Sequence, residues 1–250
     1  MEKMKKRENE VDAMNENEWS KSWQHHLEEY LARPARTGIF VYRYCSDIST
    51  ALEIACGSSR DSIYLAHKGI KSTASDYNAE LIAMLRERFT YDNLSYIETN
   101  AFNLPFEDNT FDVTFHNGFF IYFSSDDDIC LLLREQYRVS KKYILFFVHN
   151  KLNDSLVRRF KKLALNDPIY DARFFTPSEV EDIVHHAGIG YDSLKILKFG
   201  GPIDLLYNKR VKRIIPNIFY PFRESIIPKL YQLQPWGKTE RVACLIHLKK

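Results

Sequence analysis

The chain has 250 residues, 45% hydrophobic and 27% charged, with a formal net charge of +2. Such a length can bury a full core in one or two domains, and so even a charge balance excludes nucleic-acid affinity carried by net charge alone. Four scattered cysteines, Cys45, Cys56, Cys130 and Cys244, form no CxxC or Cys/His pattern of metal-ligand spacing, which argues against a structural metal or disulfide framework and for buried thiols in a reducing compartment.

The N-terminus, MEKMKKRENEVDAMNENEWS, lacks the apolar core of a signal peptide, and no later run approaches a membrane-spanning length. A cytoplasmic protein without integral membrane association is therefore expected. Residues before about Asn15 carry charge with little to bury and are expected to be loose. NEWSKSWQHHLEEYL (17–31) reads as a helix that places Trp19 and Trp23 on one face; with Tyr30, these rings either pin the segment to the core or touch a substrate.

From residue 50 onward, short apolar runs alternate with amphipathic ones. ALEIA (51–55) is the first strand expected, followed by a helix through SRDSIYLAHK (59–68) that Gly69 stops. IKSTAS (70–75) is a second strand, and AELIAMLRERF (79–89) a helix with Leu81, Ile82 and Leu85 on one face. LSYIET (94–99), TFDVTFH (110–116) and KYILFFVH (142–149) read as further strands, the last two flanking a helix through SSDDDICLLLREQYRV (124–139) whose aspartates lie at its positive end. Strand and helix repeated in this way specify an α/β, mostly parallel sheet covered on both faces, with right-handed crossovers.

The last third is less regular. TPSEVEDIVHHAG (176–188) reads as a helix opened by a capping box at Thr176 and Glu179 and closed by Gly188. YDSLKILKF (191–199) and RVACLIHLK (241–249) read as strands. Between them lie five prolines, Pro202, Pro216, Pro221, Pro228 and Pro235, in a connection too long for an ordinary loop. Residues 204–236 mix Lys209, Arg210, Lys212 and Arg213 with Ile214, Ile215, Ile218, Phe219, Tyr220 and Phe222, which suits a lid over an apolar small molecule, a surface for anionic lipid or RNA, or a solvated basic face.

Three stretches carry the chemistry. LEIACGSSRDS (52–62) ends a strand in Gly57, Ser58 and Ser59, where a ligand can approach the backbone; an ordinary strand-to-helix turn is the alternative. TASDYN ends the second strand in Asp76, whose two oxygens could accept both hydroxyls of a ribose or cap the next helix. NAFNLPFEDNTFDVTFHNG (100–118) sets Asn100 and Ala101 after the third strand, where a backbone amide and an aromatic wall could meet an adenine, or the apolar residues could simply pack beneath the sheet.

Together, in this order and spacing, the three stretches resemble the class I S-adenosylmethionine-dependent methyltransferases, with their E/D-x-G-x-G-x-G and D-A-x-x-L-P-F-x-D-x-x-F-D patterns, closely over 51–118 and loosely over 174–249. The resemblance implies a Rossmann-like, doubly wound sheet of seven strands with the last reversed. It implies that S-adenosylmethionine is held by Glu53, Ala55, Cys56, Gly57 and Ser58 at its methionine portion, by Asp76 at the ribose, by Tyr77 on the adenine face, by Asn100, Ala101 and Phe102 at the adenine edge, and by His116 and Asn117 as a nearby wall. The chain departs from the pattern at Ala55 and Ser59, where glycines are usual, and at Asn100, where an aspartate is common. The single glycine of the first stretch disfavours the pyrophosphate of a dinucleotide.

Residues 1–45 are expected to form a helical segment contributing to substrate cover, and 46–250 the cofactor-binding domain, with a lid-like insertion at about 200–240. The function expected is methyl transfer to a small-molecule acceptor, with no metal and no nucleic-acid partner. An RNA or protein methyltransferase, and a non-catalytic methyltransferase-like binding protein, are the alternatives. His116, Asn117 and His149 stand at strand ends on the expected ligand edge, but the sequence singles out no catalytic base.

Overall fold

The computed structural model describes residues 26–207 and 222–250. Trp19, Trp23, the basic cluster Lys209 to Arg213 and the apolar residues from Ile214 to Tyr220 lie outside the described residues. Of the helix expected over 17–31, the described part is helical through 26–32.

The chain then runs α1 (Arg36–Tyr44), β1 (Thr50–Ile54), α2 (Arg60–His67), β2 (Lys71–Asp76), α3 (Ala79–Arg88), β3 (Leu94–Glu98) and β4 (Phe111–Asn117). It continues with α4 (Asp126–Val139), β5 (Ser140–Asn150), α5 (Asp154–Leu163), β6 (Phe174–Phe175), α6 (Pro177–Ala187), β7 (Tyr191–Phe199), α7 (Arg223–Tyr231) and β8 (Arg241–Leu248). The sheet order is β3-β2-β1-β4-β5-β8-β7, parallel except for β8, which runs antiparallel to both β5 and β7. This is the doubly wound sheet with reversed last strand that the sequence leads one to expect. One strand is additional: the two residues of β6 pair with the end of β5, Phe174 opposite His149 and Phe175 opposite Asn150. A two-residue strand carries no readable alternation.

Alternation along the central strands builds the two faces. On β5, Ile144, Phe146 and Val148 enter the core under α4 and α6, while Leu145 and Phe147 enter the opposite core with Phe40 of α1 and Leu65 of α2. β8 repeats this, Val242, Cys244 and Ile246 on the first side and Ala243 and Leu245 on the second. A strand buried on both sides has no polar half, which is why β5 reads as a continuous apolar run.

Helix starts follow local chemistry. Ser125 caps α4 by accepting from the Asp128 amide, Asn78 caps α3 by accepting from the Leu81 amide, and Thr176 and Glu179 form the full capping box of α6. The described part of the long connection before β8 is built into the core: Ile227 and Tyr231 of α7 pack with Phe199 and Phe40. No helix among the described residues is long and apolar enough to cross a membrane.

Candidate active site

Parallel strands present their carboxyl ends to one edge of the sheet, and there a cleft of about 2420 Å³ opens. Glu53, Ala55, Cys56, Gly57, Ser58, Asp76, Tyr77, Asn100, Ala101, Phe102 and Asn117 all line it. Because β8 is reversed, its first residue, Arg241, reaches the same edge beside His149 of β5.

The loop after β1 is tightly wound. The Cys56 amide donates to the Ser75 carbonyl at 2.9 Å, and the Ser59 amide returns to the Cys56 carbonyl at 2.8 Å. This path puts Ala55, Gly57 and Ser59 in the left-handed region, with φ of 51°, 50° and 55°. Glycine adopts that conformation freely, whereas a Cβ there costs about 1–2 kcal/mol. The two departures from the glycine pattern thus fall at two of the three loop positions where the backbone itself favours glycine. Ala55→Gly is expected to stabilise the protein by about 0.5–1 kcal/mol, after the entropy glycine adds to the unfolded chain, and to raise Tm by about 2 °C in a calorimetric melt.

A buried carboxylate, Glu53, and a half-buried one, Asp76, define the end of the cleft near β1 and β2. Glu53 accepts from the Ser62 amide at 2.9 Å and from its hydroxyl at 2.6 Å. Burial, helped by the neighbouring Asp61, pushes its pKa up to about 8 against the opposing bonds from Ser62. Asp76 accepts from the Gly57 amide at 3.0 Å and from the Asn78 amide at 3.1 Å. Burial raises its pKa too, and the amides of Gly57, Asn78 and Tyr77 work against that rise. A carboxylate offers about four acceptor positions, so Asp76 retains capacity for a ligand's hydroxyls. It also ties the β1 loop to the end of β2.

Beyond Asp76, Tyr77 is 65% exposed and Phe102 37%, each a ring presented at the rim. The Asn100 side-chain carbonyl accepts from the Phe102 amide at 2.9 Å, so part of its capacity is spent on its own turn. Ala101 packs beside Phe119 and Leu104. His116 does not join this group. Its side chain points into the core, fully buried, with its ring 4.1 Å from that of Phe120 and stacked on Phe146 at 5.7 Å. Burial alone pushes its pKa down to about 3, so it is a neutral core residue. The pleat explains this: Asn117, one residue on, turns to the other side and reaches the cleft.

The opposite end of the cleft is aromatic and carries the guanidiniums of Arg36 and Arg241, formed where β4 and β5 end and β8 begins. The Asn117 side-chain amide donates to the Thr37 hydroxyl at 2.7 Å, and its carbonyl oxygen is buried with no donor among the described residues. Arg36, 16% exposed, is bound by Asp204 and by Glu240, the latter at 3.0 Å. Burial opposes ionisation of Glu240, but the Arg36 and Arg241 guanidiniums overcome it and hold its pKa at about 2. Arg36, Tyr30, Tyr122 and Arg241 line the cleft, and sequence reasoning missed Arg36 and Arg241 as site residues. For Arg241 a signal was present: it opens the final strand, and reversal of that strand delivers its first residue to the ligand edge. Among the described residues no group of three or more His, Cys, Asp or Glu side chains is arranged to hold a metal.

Residues 52–147 match the family model described as a methyltransferase domain. No curated protein matches the chain in sequence. Among solved structures, a chain from the complex of the Haloferax volcanii Trm112 methyltransferase activator with a methyltransferase is similar at TM-score 0.65 and 16% identity, over 94% of this chain and 97% of that one. A SAM-dependent methyltransferase from Thermotoga maritima is similar at TM-score 0.59 and 18% identity, over 96% and 99% of the two chains. One from Archaeoglobus fulgidus is similar at 0.58 and 17%, over 88% and 97%. The fold is that of the class I methyltransferases.

Proposed function

We propose that the protein transfers a methyl group from S-adenosylmethionine to a small-molecule acceptor. One observation carries the reading: Asp76, at the end of β2, holds the Gly57 amide of the β1 loop while keeping acceptor capacity toward the cleft. That joins the two stretches expected to bind an adenosyl group in one cavity. The residues present fit such a ligand. Glu53 and Asp76 make this end acidic, as a sulfonium with a free ammonium group requires, and Ala101 and Tyr77 border the same space. Glu53, Ala55, Cys56, Gly57 and Ser58 would hold the methionine portion, Asp76 the ribose, and Tyr77, Asn100, Ala101 and Phe102 the adenine. His116 is left out, since it lies behind the cleft wall.

The cofactor supplies a methyl carbon activated by positive sulfur; the chain's part is to align an acceptor with it and to exclude water. We assign cover of the acceptor to the N-terminal segment and the insertion at about 200–240, because Tyr30, Arg33 and Arg36 from the first, and Pro202, Asp204 and Tyr207 from the second, line the cleft. His149 also lines it, but burial and the adjoining Arg241 hold its pKa well below the usual histidine range, which makes it a weak proton acceptor.

Calorimetry with S-adenosylhomocysteine and S-adenosylmethionine, with NAD as control, tests the reading. Saturable binding of both sulfur nucleosides and none of NAD is expected. Burial raises the Glu53 carboxyl above the usual range in the free protein, and a cationic ligand favours its ionised form, so any proton it holds should be released as S-adenosylmethionine binds. That release appears as an enthalpy that changes with the buffer's ionisation heat. Absence of sulfur-nucleoside binding would leave the non-catalytic reading in its place.

A further inference from the structure

The cleft is bipolar, and its basic end holds a charge that the protein leaves poorly matched. Arg241 lies opposite His149 in the antiparallel β5–β8 register, at the edge where β4 also ends. Its Nε and Nη1 are buried and, among the described residues, meet no hydrogen-bond acceptor. The nearest carboxylate is Glu240, 3.7 Å from Nε, and Glu240 is already bound through both oxygens by Arg36 at 3.0 and 3.5 Å. A buried guanidinium with idle donors loses its hydration without recompense, an arrangement that a ligand anion would correct.

The surroundings are shaped for that guanidinium. Gly118, at φ +82°, leaves the space it fills: a Cβ there would stand 2.8 Å from Nη1. The Nδ1 of His149 is likewise buried without a partner among the described residues, and His149 lines the cleft. Phe119, Ile121, Tyr122, Phe160, Ile169 and Tyr170 also line the cleft, together with the charged Arg159, Asp171 and Lys238. Phe160 closes edge-on against His149 at 4.4 Å and against Tyr170 at 5.3 Å.

We propose that the acceptor is an apolar or aromatic molecule bearing a carboxylate, and that this carboxylate is seated on the Arg241 guanidinium. The planar fork of arginine matches two carboxylate oxygens. A monoanion suits the site better than a phosphate dianion. Arg36 is consumed by Glu240 and Asp204, and Glu240 itself stands beside the seat and would repel a second negative charge. Cation-binding carboxylates at one end and a spare guanidinium at the other would orient a cationic methyl donor and an anionic acceptor toward each other.

The assignment rests on the methyl-transfer reading for the word acceptor, but the anion seat can be tested without the cofactor. Benzoate, benzyl alcohol and phenyl phosphate are titrated into the full chain by NMR, alone and with S-adenosylhomocysteine, and the benzoate series is repeated on Arg241→Gln and Arg241→Lys. Benzoate should bind saturably and more tightly than either other probe. Arg241→Gln should weaken it by roughly 10- to 100-fold, the worth of a charge-assisted pair, and Arg241→Lys by less. Far-UV circular dichroism on each variant confirms folding; if Arg241→Gln fails to fold, the lysine variant and the wild-type comparison of benzoate with benzyl alcohol decide. Equal binding of benzoate and its neutral analogue, no saturable benzoate binding, or undiminished binding in a folded variant would overturn the proposal. Tighter binding of phenyl phosphate would overturn the carboxylate assignment. Arg241-dependent benzoate binding in a protein that ignores S-adenosylhomocysteine would sustain the anion seat and remove the methyl-transfer reading; the converse pattern would do the reverse.

Discussion

Replacing Arg36 by methionine is expected to lower the unfolding free energy at pH 7 by about 3–5 kcal/mol, and Tm by roughly 10 °C. Arg36 is the cation that Asp204 and Glu240 share, and all three are largely buried. Methionine keeps most of the stem's packing but leaves the two carboxylates with only Arg241, 3.7 Å from Glu240, as counter-charge. Asp204 keeps bonds from the Tyr231 hydroxyl and the Gly201 amide, so the greater loss falls on Glu240. The pH dependence distinguishes this cause from a packing defect. With Arg36 present, Glu240 is depressed from 4.5 to about 2, so its stabilising contribution is complete above about pH 4.5 and is lost as pH falls toward 2. In the variant, Glu240 protonates at higher pH and contributes little at any pH. The gap between wild type and variant in urea unfolding should therefore narrow as pH falls from 4.5 toward 2. A gap that stays constant over that range would show that Arg36 acts through its methylenes alone.

Arg36 also marks where the sequence stops being legible. Its partners, Asp204 and Glu240, lie 168 and 204 positions away, and no local pattern announces an ion pair over such distances. The strands and helices were readable because their causes are local. Buried runs make β1, β5 and β8, and the Thr176–Glu179 box starts α6. Part of the acidic half of the cleft was readable for a related reason: in a parallel sheet each strand's last residues reach one edge, so Gly57 and Asp76 could be placed there from strand ends, while Glu53 was named only through the family resemblance. His116 failed that logic by one residue. It belongs to the last buried pair of β4, and only the following Asn117 emerges. The basic half escaped because it is built by a reversed strand's first residue and by α1, whose pairings are set by tertiary packing.

Asp76→Ala is expected to weaken S-adenosylhomocysteine binding by about 100-fold or more, the loss of two charge-assisted hydrogen bonds at about 1.5–3 kcal/mol each. Part of that loss comes through the protein, since the same carboxylate accepts from the Gly57 and Asn78 amides and fixes the β1 loop against β2. Asp76→Asn separates the two contributions. Its one carbonyl oxygen can still accept from Gly57 but gives up the Asn78 amide, which binds the other oxygen, so the loop stays anchored at a smaller cost in Tm than alanine's, while its amide presents donors where a ribose diol needs acceptors. Asparagine should therefore keep more stability than alanine but lose most of the affinity; alanine should lose both. The wild-type affinity should also fall on acidification, and sooner than for an exposed aspartate. Burial raises the Asp76 pKa, so the carboxylate is lost at a higher pH than usual, and with it the ligand's acceptors. Calorimetric affinities that are the same for wild type and Asp76→Asn, or flat between neutral and moderately acidic pH, would detach Asp76 from the ribose and leave it only the task of shaping the loop.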